Sequence, residues 1–295
     1  MLAVGAIVAI DPAVAQTSSG PGGGSGGARP NEEIIRIARA GTKGLVTRVC
    51  RPKTKAPGPL VVVNHGRPSG ATSEERDRRR AGIRPYACGS VADAFTSRGY
   101  VVAFPVRQGY GESGGEDKEI GGPCNHADFI SAGNAGADDV AVAIAHLKTL
   151  PYVLPDKAIV VGQSVGGLVT LALASRNLEG VRAYVNFAGG HGGRRNGKAN
   201  SNCSPDALVA AAAYFGKTVR SPMLWIYTEN DTFFPPNLSG RMYAAFQKEG
   251  GTARFELLPP FRTAQTQDGH DLMFALGGDS IWEPIVFRWL DANAK

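Results

Sequence analysis

The stretch at residues 158–175, AIVVGQSVGGLVTLALAS, constrains the fold of this chain more than any other. Its first residues, AIVV, form a short apolar run typical of a strand that is covered on both faces. Its last residues, GGLVTLALAS, have the composition of a helix, and a tight glycine-containing turn joins the two. A strand that passes directly into a helix favours a parallel sheet covered by helices.

Strand-like and helix-like segments alternate over the rest of the chain. The runs typical of strands are LVTRVC, LVVVNHG, YVVAFPV, VRAYVNFAG, PMLWIYT and ARFELLP. Helices are predicted at VADAFTSRG, at AGADDVAVAIAHLKTL and near residues 205–215, 237–249 and 280–294. The charged run EERDRRR is typical of a solvated helix or loop. This alternation predicts an α/β fold around a mostly parallel sheet, with ligands bound at the carboxyl ends of the strands.

The first thirty residues differ in composition from the rest. Residues 1–15 contain a short apolar run, LAVGAIVAI, and the small-residue pattern AVA, which together predict a secretory signal peptide. Residues 16–30, QTSSGPGGGSGGARP, have the composition of a flexible Gly/Ser linker. We therefore expect one domain over residues 31–295, in a protein that is secreted or periplasmic.

Composition also narrows the possible partners. The formal net charge of +6 is spread thinly, and neither a binding motif nor interleaved aromatic residues accompany it, so we expect no nucleic-acid partner. The apolar run near the N-terminus is too short to span a bilayer, and we expect no membrane span. None of the four cysteines shows C-x-x-C spacing, which argues against zinc, so no metal is expected.

The pattern G-x-S-x-G, which can frame a serine nucleophile, occurs three times, at Ser25, Ser113 and Ser164. Ser25 lies in the linker, where no scaffold would hold a nucleophile. Ser113 is separated from the preceding strand, and the segment after it is rich in glycine and proline. Only Ser164 has the strand–turn–helix setting of a nucleophile elbow, in which Gly162 and Gly166 would prevent steric clashes. The alternative for Ser164 is a small residue in a crowded turn.

The loop that contains Ser113 also holds GYGESG, which matches the dinucleotide-binding pattern G-x-G-x-x-G. That pattern requires a helix that opens within it and an acidic residue at the end of the next strand. Neither is evident here, so we do not expect a nicotinamide enzyme.

A serine nucleophile needs a base and an acid that orients the base, and in an elbow architecture the chain order is Ser, acid, His. Of the five histidines, His270 follows the last predicted strand and is the expected base. The acid should follow the strand PMLWIYT, where the loop offers Glu229 and Asp231. We favour Asp231, because a short carboxylate before the prolines of TFFPP is the better constrained group.

The oxyanion of an acyl-transfer reaction requires two backbone N–H donors. Val165, directly after Ser164, is the first expected donor. The second should come from the loop HGRPSG after LVVVN, where Pro68 has no N–H and Arg67 is the best candidate. His65 in this loop is expected to shape it rather than to act as a base.

Five motifs in this order, NHGRPSG, RQGYGESGG, GQSVGG, YTENDTFFP and DGHDL, resemble those of the α/β-hydrolase family and of its dienelactone hydrolase-like branch. The resemblance covers residues 45–293. It implies an α/β-hydrolase fold, with a mostly parallel central sheet flanked by helices and a small cap insertion after the sixth strand. Dienelactone hydrolases proper use a cysteine nucleophile, whereas position 164 is serine. The resemblance therefore implies Ser-dependent hydrolysis of carboxylic esters through an acyl-enzyme, with no metal or organic cofactor.

The cap segment, residues 189–207, is polar and glycine-rich and is expected to shape substrate entry. An even number of cysteines in an exported chain predicts disulfides, and four cysteines allow three pairings. Cys124 and Cys203 fall in loops that follow strands, at the edge where the site should lie. We therefore hypothesise that these two pair and tie the cap segment down.

The expected substrate is a small-molecule or polymeric ester. Two other functions remain open. The first is a serine peptidase of the prolyl-oligopeptidase type, although no propeller or other gating domain is visible. The second is a catalytically silent binding protein on the same fold.

Overall fold

The structure is a computed structural model that describes residues 31–294. The predicted signal peptide and linker, residues 1–15 and 16–30, lie outside the described residues. The elements, in chain order, are β1 (Glu32–Ile37), β2 (Leu45–Cys50), β3 (Gly58–Asn64), α1 (Ser73–Ala81), α2 (Ser90–Thr96), β4 (Val101–Pro105), α3 (Phe129–Leu147), β5 (Val153–Gln163), α4 (Val165–Ala174), β6 (Val181–Phe187), α5 (Pro205–Gly216), β7 (Met223–Thr228), α6 (Pro236–Lys248), β8 (Ala253–Leu258) and α7 (Asp279–Asn293).

The strands form one sheet in the order β1-β2-β4-β3-β5-β6-β7-β8. β2 pairs antiparallel with β1 and with β4, and all other neighbours are parallel, which confirms the predicted mostly parallel sheet. β1 was not predicted from the sequence. This strand lies at the edge of the sheet and is only partly buried, with Ile34 exposed, so it lacks the continuous apolar run of the inner strands.

Helices cover both faces of the sheet. Because successive strand residues point to opposite faces, Val160 belongs to one apolar cluster and Val161 to another. The first cluster contains buried residues of α3, α4, α5 and α6, and the second contains those of α2 and α7. The inner strands therefore need apolar residues at every position, which explains runs such as LVVVN.

Most of these helices bury one face against the sheet and expose the other, but two helices differ. α4 is buried at all ten of its positions. α1, which contains the charged run EERDRRR, has no buried residue and is thus a solvated helix. It is attached by polar contacts, since Arg76 and Arg79 donate hydrogen bonds of 3.1 and 3.0 Å to the backbone carbonyls of Gly70 and Ser69.

The fold brings the predicted site residues to one edge of the sheet. β3, β5, β7 and β8 run in the same direction, so their carboxyl ends meet there. Arg67 follows β3, Ser164 follows β5, Asp231 follows β7 and His270 lies in the connection between β8 and α7.

Candidate active site

Ser164 occupies the tight turn between β5 and α4, with φ = 58° and ψ = −125°. Residues other than glycine rarely adopt a positive φ, and such strain is found most often at functional sites. Ser164 is the N-cap residue of α4, yet its side chain makes no capping hydrogen bond. A serine that serves only as a helix cap accepts a hydrogen bond from the first helical turn. The hydroxyl at this strained position is therefore not used to cap the helix.

The two glycines that frame Ser164 are required by close backbone contacts. A Cβ atom on Gly162 would lie 2.1 Å from the carbonyl oxygen of Gly166. A Cβ atom on Gly166 would lie 2.4 Å from the carbonyl oxygen of Asn64, at the end of β3. Both distances are far below van der Waals contact. The steric role that the sequence predicts for these glycines is thus confirmed.

His270 and Asp231 form a buried hydrogen-bonded pair. The Nδ1 atom of His270 lies 3.1 Å from Oδ2 of Asp231. The other carboxylate oxygen of Asp231 accepts hydrogen bonds of 2.8 and 2.9 Å from the backbone N–H groups of Phe233 and Phe234. The side chains of the pair are 4% and 0% exposed. Asp231 is therefore held by its own loop in a position to orient the imidazole.

Glu229, the alternative acid, is placed differently. It is exposed, one residue beyond the end of β7, and its backbone N–H donates to the carbonyl of Leu258. The structure thus brings Asp231, and not Glu229, to His270.

The surroundings of His270 favour its charged form. Burial lowers the pKa of the imidazole, but the charge and hydrogen bond of Asp231, with the charges of Asp268 and Asp271, outweigh this effect. The net result is a pKa raised from the ordinary value. The ring of Phe233 stacks on the imidazole with 4.1 Å between the ring centres, which restricts the orientation of the imidazole plane.

The loop after β3 lies against Ser164. A Cβ atom on Gly66 would lie 3.1 Å from Cβ of Ser164 and 2.8 Å from the side-chain oxygen of Gln163, so glycine allows this approach. The backbone N–H groups of Arg67 and Val165, the predicted oxyanion donors, donate to no other described residue. The guanidinium of Arg67 hydrogen-bonds to Tyr110 at 3.0 Å and to Asp117 at 2.8 Å. The side chain of Arg67 therefore anchors the loop.

A buried ion pair lies behind this loop. Arg107 and Glu119 pair at 2.6 Å, with side chains that are 0% and 2% exposed. Arg107 also donates a hydrogen bond of 2.9 Å to the backbone carbonyl of His65, and the hydroxyl of Tyr110 donates to Glu119 at 2.8 Å. His65 accepts at Nε2 from the backbone N–H of Arg107, consistent with the expected loop-shaping role. Residues of the RQGYGESGG motif therefore support the loop after β3.

Ser113 has a structural setting. It is fully buried, and its hydroxyl donates to the carbonyl of Val106 at 2.7 Å and accepts from the N–H of Val46 at 2.9 Å. No α-helix opens within GYGESG, where the structure has only a 3₁₀ turn over Gly111–Ser113. The G-x-S-x-G pattern at Ser113 therefore lacks the geometry of a nucleophile elbow, and GYGESG lacks that of a dinucleotide-binding turn.

His191, on the cap segment, is also buried. Burial lowers its pKa to about 4, against a smaller opposing effect of its hydrogen bond to the backbone carbonyl of Glu119. The ring stacks on Phe129 at 4.7 Å. This histidine packs the cap segment onto the body of the protein.

All four cysteines form disulfides, Cys50–Cys88 and Cys124–Cys203. The hypothesised pairing of Cys124 with Cys203 is thus confirmed. The second bridge connects the loop before α3 to the cap segment. The first bridge connects the end of β2 to the segment between α1 and α2.

Sequence reasoning missed several residues that surround the candidate site. They are Gln163, Arg107, Glu119 and Asp268. Gln163 directly precedes Ser164, and Asp268 lies two residues before His270. This closeness in the sequence to predicted site residues is a signal that could have identified both. Glu119 carries no such signal, because only the folded loop brings it to Arg107.

No group of His, Cys, Asp and Glu side chains within residues 31–294 is arranged to hold a metal ion. Across the same part of the chain, no helix is both long enough and apolar enough to cross a membrane.

A comparison with known protein families matches residues 80–269 to the dienelactone hydrolase family. No curated protein matches the sequence.

Several solved structures share the fold at low sequence identity. A putative dienelactone hydrolase from Klebsiella pneumoniae has 16% identity and a TM-score of 0.54, over 88% of this chain and 96% of that one. An esterase from Pyrococcus furiosus has 16% identity and a TM-score of 0.60, over 90% and 93% of the two chains. An acylaminoacyl peptidase from Pyrococcus horikoshii has 15% identity and a TM-score of 0.61, over 90% of this chain but 42% of the peptidase. These similarities show the α/β-hydrolase fold.

Proposed function

The chain belongs to the dienelactone hydrolase family, and from the geometry around Ser164 we propose that it is a serine hydrolase that cleaves carboxylic esters. The observation that carries this proposal is the strained serine, with φ = 58°, at the same sheet edge as a buried His270–Asp231 pair. A nucleophile, an orienting acid and a base, in this chain order, are the parts of a catalytic triad.

In the proposed reaction, the Oγ atom of Ser164 attacks the ester carbonyl while Nε2 of His270 takes the hydroxyl proton. Asp231 stabilises the resulting imidazolium. The N–H groups of Val165 and Arg67 donate hydrogen bonds to the oxyanion of the tetrahedral intermediate. His270 then protonates the leaving alcohol, which leaves an acyl group on Ser164. A water molecule, deprotonated by His270, attacks this acyl-enzyme and releases the acid.

The proposed substrate is a small-molecule or polymeric ester, and the cycle requires no cofactor. We also propose that the protein is exported. Two disulfides in the structure support this location, because such bonds persist mainly in oxidising compartments. The apolar run and small-residue pattern at residues 1–15 support a cleaved signal peptide. N-terminal sequencing of the mature protein should find a start near Gln16, and retention of Met1 would contradict this.

The function is tested by covalent labelling and by a matched pair of substrates. A fluorophosphonate should label Ser164, and Ser164→Ala should abolish both labelling and the hydrolysis of a 4-nitrophenyl ester. Ser113→Ala is the matched control, since Ser113 has the same glycine frame but a hydroxyl bonded to the backbone, and labelling should persist. A label mapped to Ser113 would refute the assignment. Absence of any label on folded protein would favour a silent binding protein.

The substrate pair separates esterase from peptidase. The comparison with an acylaminoacyl peptidase motivates this control, although it covers 42% of that chain. The ester and the 4-nitroanilide of one acyl group differ only in the bond that is cleaved. We expect hydrolysis of the ester alone, and comparable turnover of the anilide would favour a peptidase.

A further inference from the structure

Asp268 lies two residues before His270, and its carboxylate is buried among hydrogen-bond donors. It accepts from the backbone N–H groups of His270 at 3.1 Å and of Thr232 at 3.0 Å. It also accepts from the Thr232 hydroxyl at 2.5 Å and from the Arg194 guanidinium at 2.8 Å. A carboxylate with this many donors holds them in one arrangement, because breaking any bond leaves a buried charge undersolvated.

These donors come from three separate segments. Thr232 directly follows the proposed acid Asp231, and His270 is the proposed base. We call the loop after β7 that contains Asp231 and Thr232 the acid loop, and the loop before α7 that contains Asp268 and His270 the base loop. Through the backbone N–H groups of Thr232 and His270, Asp268 holds these two loops together. This link is additional to the direct hydrogen bond between Asp231 and His270. Arg194 belongs to the cap segment and brings that segment into the same cluster.

Arg194 contacts the site by a second route. Its guanidinium carbon lies 4.8 Å from the ring centre of Phe233, and that ring stacks on His270 at 4.1 Å. Arg194 also donates a hydrogen bond of 2.7 Å to the hydroxyl of Thr232. The cap segment is thus joined to both loops through one arginine.

We propose that Asp268 is a positioning residue for the reaction, and that its ion pair with Arg194 couples the cap segment to the acid and base loops. This inference rests on the proposed function, in which His270 is the base. Neither residue reaches the reacting atoms in this role. Both act through His270 and Asp231, by holding their loops and by setting the field at the imidazole.

The pH dependence of the reaction gives a readout that distinguishes this role from a merely structural one. The charged groups that act on His270 are Asp231, which follows β7, and Asp268 and Asp271 from its own loop. Arg194 of the cap segment is ion-paired with Asp268 and lies over the ring of Phe233, which stacks on the imidazole. Asp268 stabilises the imidazolium, and Arg194 offsets part of that negative charge. Loss of Asp268 should therefore lower the pKa of His270, and loss of Arg194 should raise it.

The experiment compares Asp268→Asn, Arg194→Gln and the double variant in steady-state hydrolysis of a 4-nitrophenyl ester across pH. The matched control is Asp138→Asn, which removes a carboxylate that is exposed and that pairs with Arg176 at the same 2.8 Å distance. Fluorophosphonate labelling of the wild type comes first, and circular dichroism checks the fold of each variant.

For Asp268→Asn we expect kcat to fall by about 10²-fold, since misplaced catalytic groups cost this much, with little change in KM. The acidic limb of its kcat/KM profile should move to lower pH, by about half a unit or more. For Arg194→Gln the limb should move to higher pH, and the double variant should lie between the two. Asp138→Asn should match the wild type.

Each other outcome overturns the inference. A limb that stays in place in Asp268→Asn, with or without a fall in kcat, indicates a structural role only. If Asp268→Asn does not fold, Arg194→Gln decides alone, and an unmoved limb refutes the coupling. A wild type that is not labelled at Ser164 refutes the proposed function itself, and this inference with it. A labelled wild type with unmoved limbs refutes only the role of Asp268 and Arg194.

Discussion

Gln163, the residue before Ser164, donates a hydrogen bond of 3.0 Å from its side-chain amide to the backbone carbonyl of His270, 107 positions away in the sequence. The bond is buried and joins the last residue of β5 to the loop before α7. The hydrogen bond therefore holds the proposed nucleophile, Ser164, and the proposed base, His270, in one frame even in the absence of substrate. Asp231, bonded to His270, completes this frame from the end of β7.

The role of the acid can be tested at two neighbouring carboxylates. Asp231→Asn should lower kcat by about three to four decades with folding intact, because an amide favours the wrong imidazole tautomer. Glu229→Gln is the matched control, since Glu229 is exposed, and its kcat should stay within about tenfold of wild type. The measurement is kcat on both variants after their folding has been verified. The reverse ranking would make Glu229 the acid.

The pH profile of the wild type should report the raised pKa of His270. The base acts in its neutral form, and the nearby carboxylates stabilise its protonated form. Activity should therefore be lost on acidification at a pH above 6.5, the ordinary pKa of histidine. The measurement is kcat/KM between about pH 5 and pH 9, a range chosen to cover the titration of histidine. An acidic limb centred below 6.5 would contradict the expectation.

The buried ion pair of Arg107 and Glu119 should be important for stability. Glu119→Gln leaves the Arg107 charge buried and uncompensated, which costs about 3–5 kcal/mol of unfolding free energy. Glu283→Gln removes a more exposed pair with Arg98 and should cost less than about 1 kcal/mol. Chemical denaturation measures both. Equal costs for the two variants would show that burial does not govern the contribution of the pair.

The two disulfides should differ in their effect on activity. The Cys124–Cys203 bridge closes a longer loop, with a sequence separation of 79 against 38 for Cys50–Cys88. In the chain-entropy model each bridge stabilises by about 4 kcal/mol, and the longer loop by slightly more. Replacing either pair by alanine should lower Tm. Only loss of Cys124–Cys203 should also raise KM, because that bridge holds the cap segment. An unchanged KM would show that the cap segment does not contribute to substrate binding.

Two glycines should respond oppositely to alanine. Gly166→Ala would place its Cβ 2.4 Å from the carbonyl oxygen of Asn64 and must force the turn at Ser164 apart. We expect loss of activity and a lower Tm. Gly240, inside α6, has no atom within 4 Å of the position that an added Cβ would take, and Gly240→Ala should stabilise by about 0.5–1 kcal/mol. Activity retained in Gly166→Ala would contradict the steric argument.

The alternation of apolar runs and helical segments was sufficient to predict the sheet, because a strand covered on both faces must be apolar throughout. β1 escaped this reasoning, since an edge strand such as EEIIRI buries only part of its surface. The position of Asp231 beside His270 agrees with a preference based on backbone constraint. The partners of Arg107 and Asp268 were not predictable in this way. These contacts depend on the path of irregular loops in space, and hydrophobic periodicity in the sequence does not predict that path.

The burial of α4 on every side has a consequence for how such a protein can diversify. The helix that follows Ser164 has no surface on which substitutions could accumulate without disturbing the interior. The cap segment, by contrast, is largely solvent-exposed from residue 195 to residue 200. Libraries aimed at new substrates should therefore randomise that stretch and leave the helix untouched. Variants obtained in this way should change selectivity while the melting behaviour of the scaffold stays constant.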